Sequence, residues 1–260
     1  MTGVLRALGG AALTLGIVLV VWVAFLELLD VSPYVGKGPL DVWAYLFTED
    51  DAAENRAQVL DLLGTTLADA ALGFVAGMVA AVALACAIVV SRSAQSTIMP
   101  VAMLLRSVPL IAMTPVISMV FGRGTVTVAV IAGIVVLFPA LVTIVFGLRS
   151  TSPQLHDVVA VYGGSTSARL RTVDMPSALP SFFAAVRISV PGAITGALIA
   201  EWLATGQGIG YGVVSALGRA QNTTVWALVV VITLVSLALY TVAQVLEQLV
   251  LARMGGPSRG

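Results

Sequence analysis

From residue 65 to residue 90 the sequence reads TTLADAALGFVAGMVAAVALACAIVV, with one charged side chain, Asp69. A helix needs about 20 apolar residues to cross the hydrocarbon core of a bilayer, and this run exceeds that length. Comparable apolar stretches occur at about 9–29, 98–121, 125–147, 182–204 and 224–251. Lipid offers no partner for a backbone N–H or C=O, so a crossing segment must satisfy its own, as a helix or in a closed barrel. Nothing in the chain alternates apolar and polar residues over the roughly ten-residue period of a barrel strand. The expectation is an all-α membrane protein with six transmembrane helices. Composition agrees: 59% of residues are hydrophobic and 10% charged, whereas soluble domains carry about 25% charged residues. The first run follows Arg6 and outlasts the roughly 7–15 apolar residues of a signal peptide, so it is expected to be a retained span.

Several function classes lose support from composition alone. The formal net charge is +0, leaving no basic face for nucleic acid. A single His and a single Cys, His156 and Cys86, argue against a metal or haem site built from this chain alone. Neither an H-E-x-x-H stretch nor a nucleophile with an adjacent base suggests an intramembrane enzyme. The phosphate-binding pattern G-x-x-x-x-G-K-[ST] is absent, and Gly36-Lys37-Gly38 does not fit it. Energy for any ATP-driven process must then come from a partner.

Lys and Arg set the expected orientation. With the N-terminus inside, the inner segments hold Arg6, Arg92, Arg149, Arg169, Arg171, Arg253 and Arg259, helped by Arg187 near the inner end of the fifth span. The outer segments hold Lys37, Arg56, Arg123 and Arg219. Both termini are then expected in the cytoplasm. The first outer loop, about 30–63, is acidic, with Asp30, Asp41, Glu49, Asp50, Asp51, Glu54 and Asp61.

The segment LHDVVAVYGGSTSARLRTVDMPSALP, residues 155–180, interrupts the apolar chain on the inner side. Ser152-Pro153 is a helix-start signal, with Ser as N-cap and Pro at the first helical position. A short helix through Tyr162 is predicted, stopped by Gly163-Gly164. Ser165 can cap a second helix over about 166–174, which Pro176 is expected to end before Pro180 opens the next span. Connections of this length in compact bundles tend to be functional or disordered, and the caps and breakers favour an ordered helix pair.

This segment resembles the "EAA" cytoplasmic loop of ABC importer permeases. Asp157 stands where the family has Glu, Val158 and Val159 where it has two Ala, Gly163 at its Gly, and Met175-Pro176 at its Leu-Pro. Gly64-Thr65-Thr66-Leu67, RSVPLIAMTPVISMVFGRG (106–124), FPALVTIVFGLRSTSP (138–153) and ALIAEWLATGQGIGYGV (197–213) resemble the sulfonate, taurine, nitrate and thiamine-precursor branch. The resemblance covers about 64–250. It implies a type I ABC importer permease fold in a bacterial cytoplasmic membrane. The implied division is 1–63 for the first helix and acidic extracytoplasmic loop, 64–251 for a permease core, and 252–260 for a cytoplasmic tail. The core includes a coupling loop at about 149–180. The implied partners are a pair of cytoplasmic ATP-binding subunits, a second permease copy or paralogue, an extracytoplasmic substrate-binding protein and membrane lipid. ATP and Mg would be bound by the partner ATPase and no cofactor by this chain. Asp157, Val158, Val159, Tyr162, Gly163, Arg169, Leu170 and Pro176 are the implied ATPase-coupling residues. Within the loop, Tyr162, Val158, Val159 and Leu170 supply apolar contact area, and Asp157, Arg169 and Arg171 supply rim charges.

Ionisable residues inside spans are candidate functional sites. Arg106 suits an oxyanion such as a sulfonate or nitrate, although snorkelling or structural pairing is the favoured reading for it. Glu201 precedes Gly206, Gly208, Gly210 and Gly212 in TGQGIGYG. That run suits close helix packing, or a re-entrant bend lining a cavity, which the family resemblance favours. Arg106, Thr114, Ser118, Thr195, Glu201 and Gln207 are the candidate translocation-path residues, although single hydroxyls in membrane helices more often bond the preceding turn. The main alternative to an ATP-driven import subunit is a self-sufficient secondary transporter or channel. That class would show inverted repeats, and none is evident.

Overall fold

The computed structural model describes residues 2–253, with side chains from residue 15 onward except at 92, 105 and 106. Arg6, Arg92 and Arg259 and the expected tail beyond 253 lie outside the described residues or side chains. Every element described is helical. Among the described residues, four helices are long and apolar enough to cross a membrane: Ala52–Val90, Thr125–Arg149, Leu179–Thr205 and Asn222–Arg253. Leu15–Leu28, Leu110–Phe121 and Gly208–Gly218 are shorter apolar helices. The all-α membrane architecture is as expected, and its edges differ in instructive ways.

The chain forms two compact units. The first runs to Asp61 and takes in Gly212–Val231. It contains α1 (Thr2–Leu28), α2 (Pro39–Trp43) with a π-helical turn (Ala44–Thr48), and the start of α3 (Ala52–Val90). The end of α11 (Gly208–Gly218) and the start of α12 (Asn222–Arg253) complete it. Side-chain bonds to backbone carbonyls tie it together: Asn222 Nδ2 donates to Tyr34 O at 2.7 Å and Trp226 Nε1 to Val35 O at 2.9 Å. Trp226 also stacks on Trp22, ring centroids 5.5 Å apart. Tyr34, Lys37, Tyr45, Glu49, Asn222 and Thr224 line a polar pocket in this unit.

Residues 52–61 are helical rather than part of the predicted loop of about 30–63. Ala, Glu, Arg, Gln and Leu dominate that stretch, and all are strong helix formers. Hydropathy registers only the apolar part of a helix, so the polar beginning of α3 was invisible to it.

The second unit comprises Leu62–Tyr211 and Ile232 onward. It contains α4 (Arg92–Ser107), α5 (Leu110–Phe121), α6 (Thr125–Arg149) and the polar segment, α7 (Pro153–Val161), α8 (Thr166–Arg169) and α9 (Met175–Ser177). α10 (Leu179–Ala200) follows, with a terminal π-helical turn (Glu201–Thr205). The expected third span at 98–121 is two helices. Pro109 lacks an N–H and disfavours the α conformation in the residue before it. It therefore ends α4 and becomes the N-cap of α5, at φ −64° and ψ 104°. Pro115, read as a further interruption, lies within α5.

α6 and α10 pack along much of their lengths. Val128 and Ile131 of α6 and Ala200 of α10 form a buried cluster, flanked by Leu110 and Ile117 of α5. Small residues bring backbones together here. A Cβ on Gly73 of α3 would collide with Ala132 of α6, and one on Gly196 of α10 would reach Ala132 Cα at 2.5 Å. Ala132 is thus held between two glycines on two different helices. Such small-residue crossings permit the van der Waals contact that drives helix association in lipid.

Candidate functional site

Two places in the second unit concentrate polar chemistry: the segment between α6 and α10, and the junction between α10 and α11.

In the first, Pro153 occupies the first turn of α7 as predicted, with Ser152 extended before it. Tyr162 ends the helix and Gly163 follows at φ +73°, a left-handed conformation that favours glycine. Ser165 then accepts a bond from Ala168 N at 3.2 Å and starts α8. α8 passes into a π-helical turn, Leu170–Asp174, so the second short helix spans 166–174. Pro176 does not end it. Met175–Ser177 continues helically and α10 begins at Leu179. A proline in a first helical turn sacrifices no hydrogen bond, so here it marks a restart rather than a stop.

Neither α7 nor α8 buries a residue. Val158 is 52% exposed, Val161 84% and Tyr162 87%, in a segment outside the apolar spans. Asp157 is also exposed, whereas Val159, Arg169 and Leu170 are half-buried and Pro176 is exposed. Arg169, expected at the rim, faces inward in part: its Nε donates to Asp174 Oδ2 at 3.2 Å. The other carboxylate oxygen of Asp174 lies 2.8 Å from His156 Nε2. Asp174 is fully buried. Its role was not evident in the sequence, because residues 169 and 174 do not face each other on an α-helix, though the π-helical turn brings them together.

The second place centres on Glu201, which is also fully buried. Gly206 and Gly208, both at φ +72°, turn the chain sharply after the π-helical turn. α11 then starts against the preceding helix. Glu201 Oε2 accepts from Gly210 N at 2.7 Å and lies 3.0 Å from Thr66 Oγ1 of α3. Thr66 Oγ1 in turn accepts from Ile209 N at 2.8 Å. A carboxyl and a hydroxyl from two other helices thereby satisfy N–H groups that α11 cannot satisfy itself. The glycine run provides close packing: a Cβ on Gly208 would overlap the Glu201 carboxyl, and one on Gly210 would meet Leu198 O. In the sequence Thr66 stands out only as part of a family-like motif, since nothing in the local pattern announces a partner 135 residues away.

The remaining candidates are dispersed. Thr114 is buried and donates to Leu110 O, and Thr195 donates to Pro191 O, so both hydroxyls bond their own preceding turn. Ser118 is half-buried and Gln207 exposed. The backbone of Arg106 lies in the last turn of α4, and its side chain lies outside the described residues. Thr195 joins Thr233, Ser236 and Tyr240 in lining a groove between α10 and α12 of about 350 Å³. Near it, Arg187 Nε is 3.2 Å from Glu247 Oε2, and the Arg187 guanidinium lies 5.9 Å from the Tyr240 ring centre.

Comparison with known proteins agrees with this architecture. A family model described as "Binding-protein-dependent transport system inner membrane component" matches residues 73–256. A probable ABC transporter permease protein of Haemophilus influenzae is 28% identical over 228 residues, covering 88% of this chain and 91% of that protein. A riboflavin transport system permease protein of Chloroflexus aurantiacus is 29% identical over 158 residues, covering 61% and 59%. A formylaminopyrimidine transport permease protein of Halalkalibacterium halodurans is 25% identical over 189 residues, covering 73% and 76%.

Proposed function

The chain belongs to the binding-protein-dependent transport system inner membrane component family, and from that premise we propose that it is the membrane half of an ATP-driven importer for a small solute. The observation that carries this is the exposed patch of Val158, Val161 and Tyr162 on α7. Apolar side chains displayed on an ordered helix outside the spans fit a soluble partner's groove better than water. The partner is a pair of cytoplasmic ATPases that bind ATP and Mg, close when ATP is bound and reopen after hydrolysis. Two permease copies, or this chain with a paralogue, alternate between inward and outward openings. α7 and α8 then face the cytosol, as do both termini. A binding protein delivers solute on the opposite side.

The solute class is a small anionic or heterocyclic molecule. The named relatives carry riboflavin and formylaminopyrimidine, and others are named for aliphatic sulfonates and nitrate. The α10–α12 groove, with its Thr195, Thr233, Ser236 and Tyr240 hydroxyls, is the proposed contact surface, and Arg106 is the proposed anion contact. The test is co-purification. Val161→Asp should strip the ATPase from the complex while the permease stays in the membrane at its usual level. Undiminished association of that variant refutes α7 as the docking element.

A further inference from the structure

α7 and α8 bury no residue of their own, yet one carboxylate at the end of the same segment is wholly enclosed. Asp174 reaches His156 on α7 with one oxygen, at 2.8 Å, and Arg169 on α8 with the other, at 3.2 Å. It therefore touches both short helices at once. The π-helical turn that carries it packs against α6, and the chain continues through buried Ala178 into α10. Burying a carboxylate between two donors is seldom the most stabilising way to join helices, since apolar packing does as well or better. Directional bonds do something apolar packing does not: they fix an angle.

We propose that Asp174 is a positioning residue for energy coupling, which locks α7 and α8 at one angle and joins them to α6 and α10. Force applied to the exposed patch of α7 then moves the two spans instead of bending the connection. This rests on α7 being the ATPase contact. Without the lock, an ATPase could still grip α7 and hydrolyse ATP, but the spans would not follow. Arg171, Asp157 and Thr172 stand on the same segment and are exposed, so they do not substitute for the enclosed bonds.

The test uses the complete permease–ATPase complex in nanodiscs, with spin labels at Arg149→Cys and Arg253→Cys in a Cys86→Ser background. ATP with vanadate should shift the label distance in the unaltered loop. In His156→Phe, which keeps a ring and removes the bond, hydrolysis and association should persist. The shifted-to-unshifted ratio should fall about tenfold, as expected for losing one charge-assisted bond from a two-state equilibrium. Asp174→Asn, whose amide oxygen can accept from Arg169 Nε while its NH2 donates to an unprotonated His156 Nε2, should keep most of the shift, and Asp174→Ala should not. The proposal is overturned if His156→Phe and Asp174→Ala both shift like the parent. It is also overturned if His156→Phe loses the ATPase altogether, because the contact would then belong to docking. Failure of the underlying docking role is separately visible, as retained ATPase in Val161→Asp.

Discussion

Two glycines two residues apart separate backbone strain from side-chain crowding. Gly206 and Gly208 share φ +72°, but a Cβ at 206 meets nothing within 4 Å whereas one at 208 overlaps the Glu201 carboxyl. Gly206→Ala should therefore lose only the cost of a left-handed non-glycine residue, about 1–2 kcal/mol. Gly208→Ala carries the same strain and also displaces the carboxyl from Gly210 N and Thr66 Oγ1. Each hydrogen bond contributes about 0.5–1.5 kcal/mol in soluble proteins, and bonds between membrane helices average about 0.6 kcal/mol. The second variant should thus be destabilised by about 1–3 kcal/mol more than the first. With roughly 2–4 °C per kcal/mol for a chain of this size, that separates the two melting temperatures by several degrees. Tryptophan fluorescence during heating of nanodisc-embedded protein, at one scan rate, reads the difference. Thr66→Val supplies the control. Combined with Gly208→Ala it should be less than additive, because both remove the same bond. Equal melting temperatures for the two alanine variants would refute the enclosure of Glu201 by α11.

Other outcomes follow from the same geometry. Arg187→Met alone should destabilise the fold by about 2 kcal/mol by leaving a largely buried Glu247 without its counter-charge, and Arg187→Met with Glu247→Met should restore it; chemical or thermal unfolding of the three variants checks this. Ala132→Leu should prevent stable folding, measured as loss of monodisperse protein after extraction, because Gly73 and Gly196 leave no room for added volume. Arg106→Ala should raise the solute concentration needed for half-maximal uptake without changing ATPase association. Uptake indistinguishable from the parent protein would mark Arg106 as structural.

Much of the fold was legible because hydrocarbon imposes so few solutions. The predicted fourth span, 125–147, appears as Thr125–Arg149, and the caps at Pro153, Gly163 and Ser165 lie where the residue types demanded them. What escaped was of two kinds. Helix carrying polar residues, as at 52–61, has no apolar signature. Proline is ambiguous when read alone: Pro109 separates two helices, Pro115 sits within one, and Pro176 restarts one. The site was less legible than the fold. Asp174 depends on a π-helical register that no α-periodic template anticipates. Glu201 depends on Thr66, a partner that only the folded chain brings near. Arg187, an inner-side cation by its place in the sequence, is paired with Glu247 in the fold.

Ala132 has a mechanical consequence. Joints between helices are usually filled by long side chains, which must change rotamer when the helices tilt. Where Gly73 and Gly196 meet the backbone and methyl group of Ala132, only Val135 beside Gly196 has a rotamer to change. Such a joint can swivel with little friction but cannot be shimmed. Any tilt of α3 or α10 against α6 at this point is therefore set by backbone contact rather than by side-chain repacking.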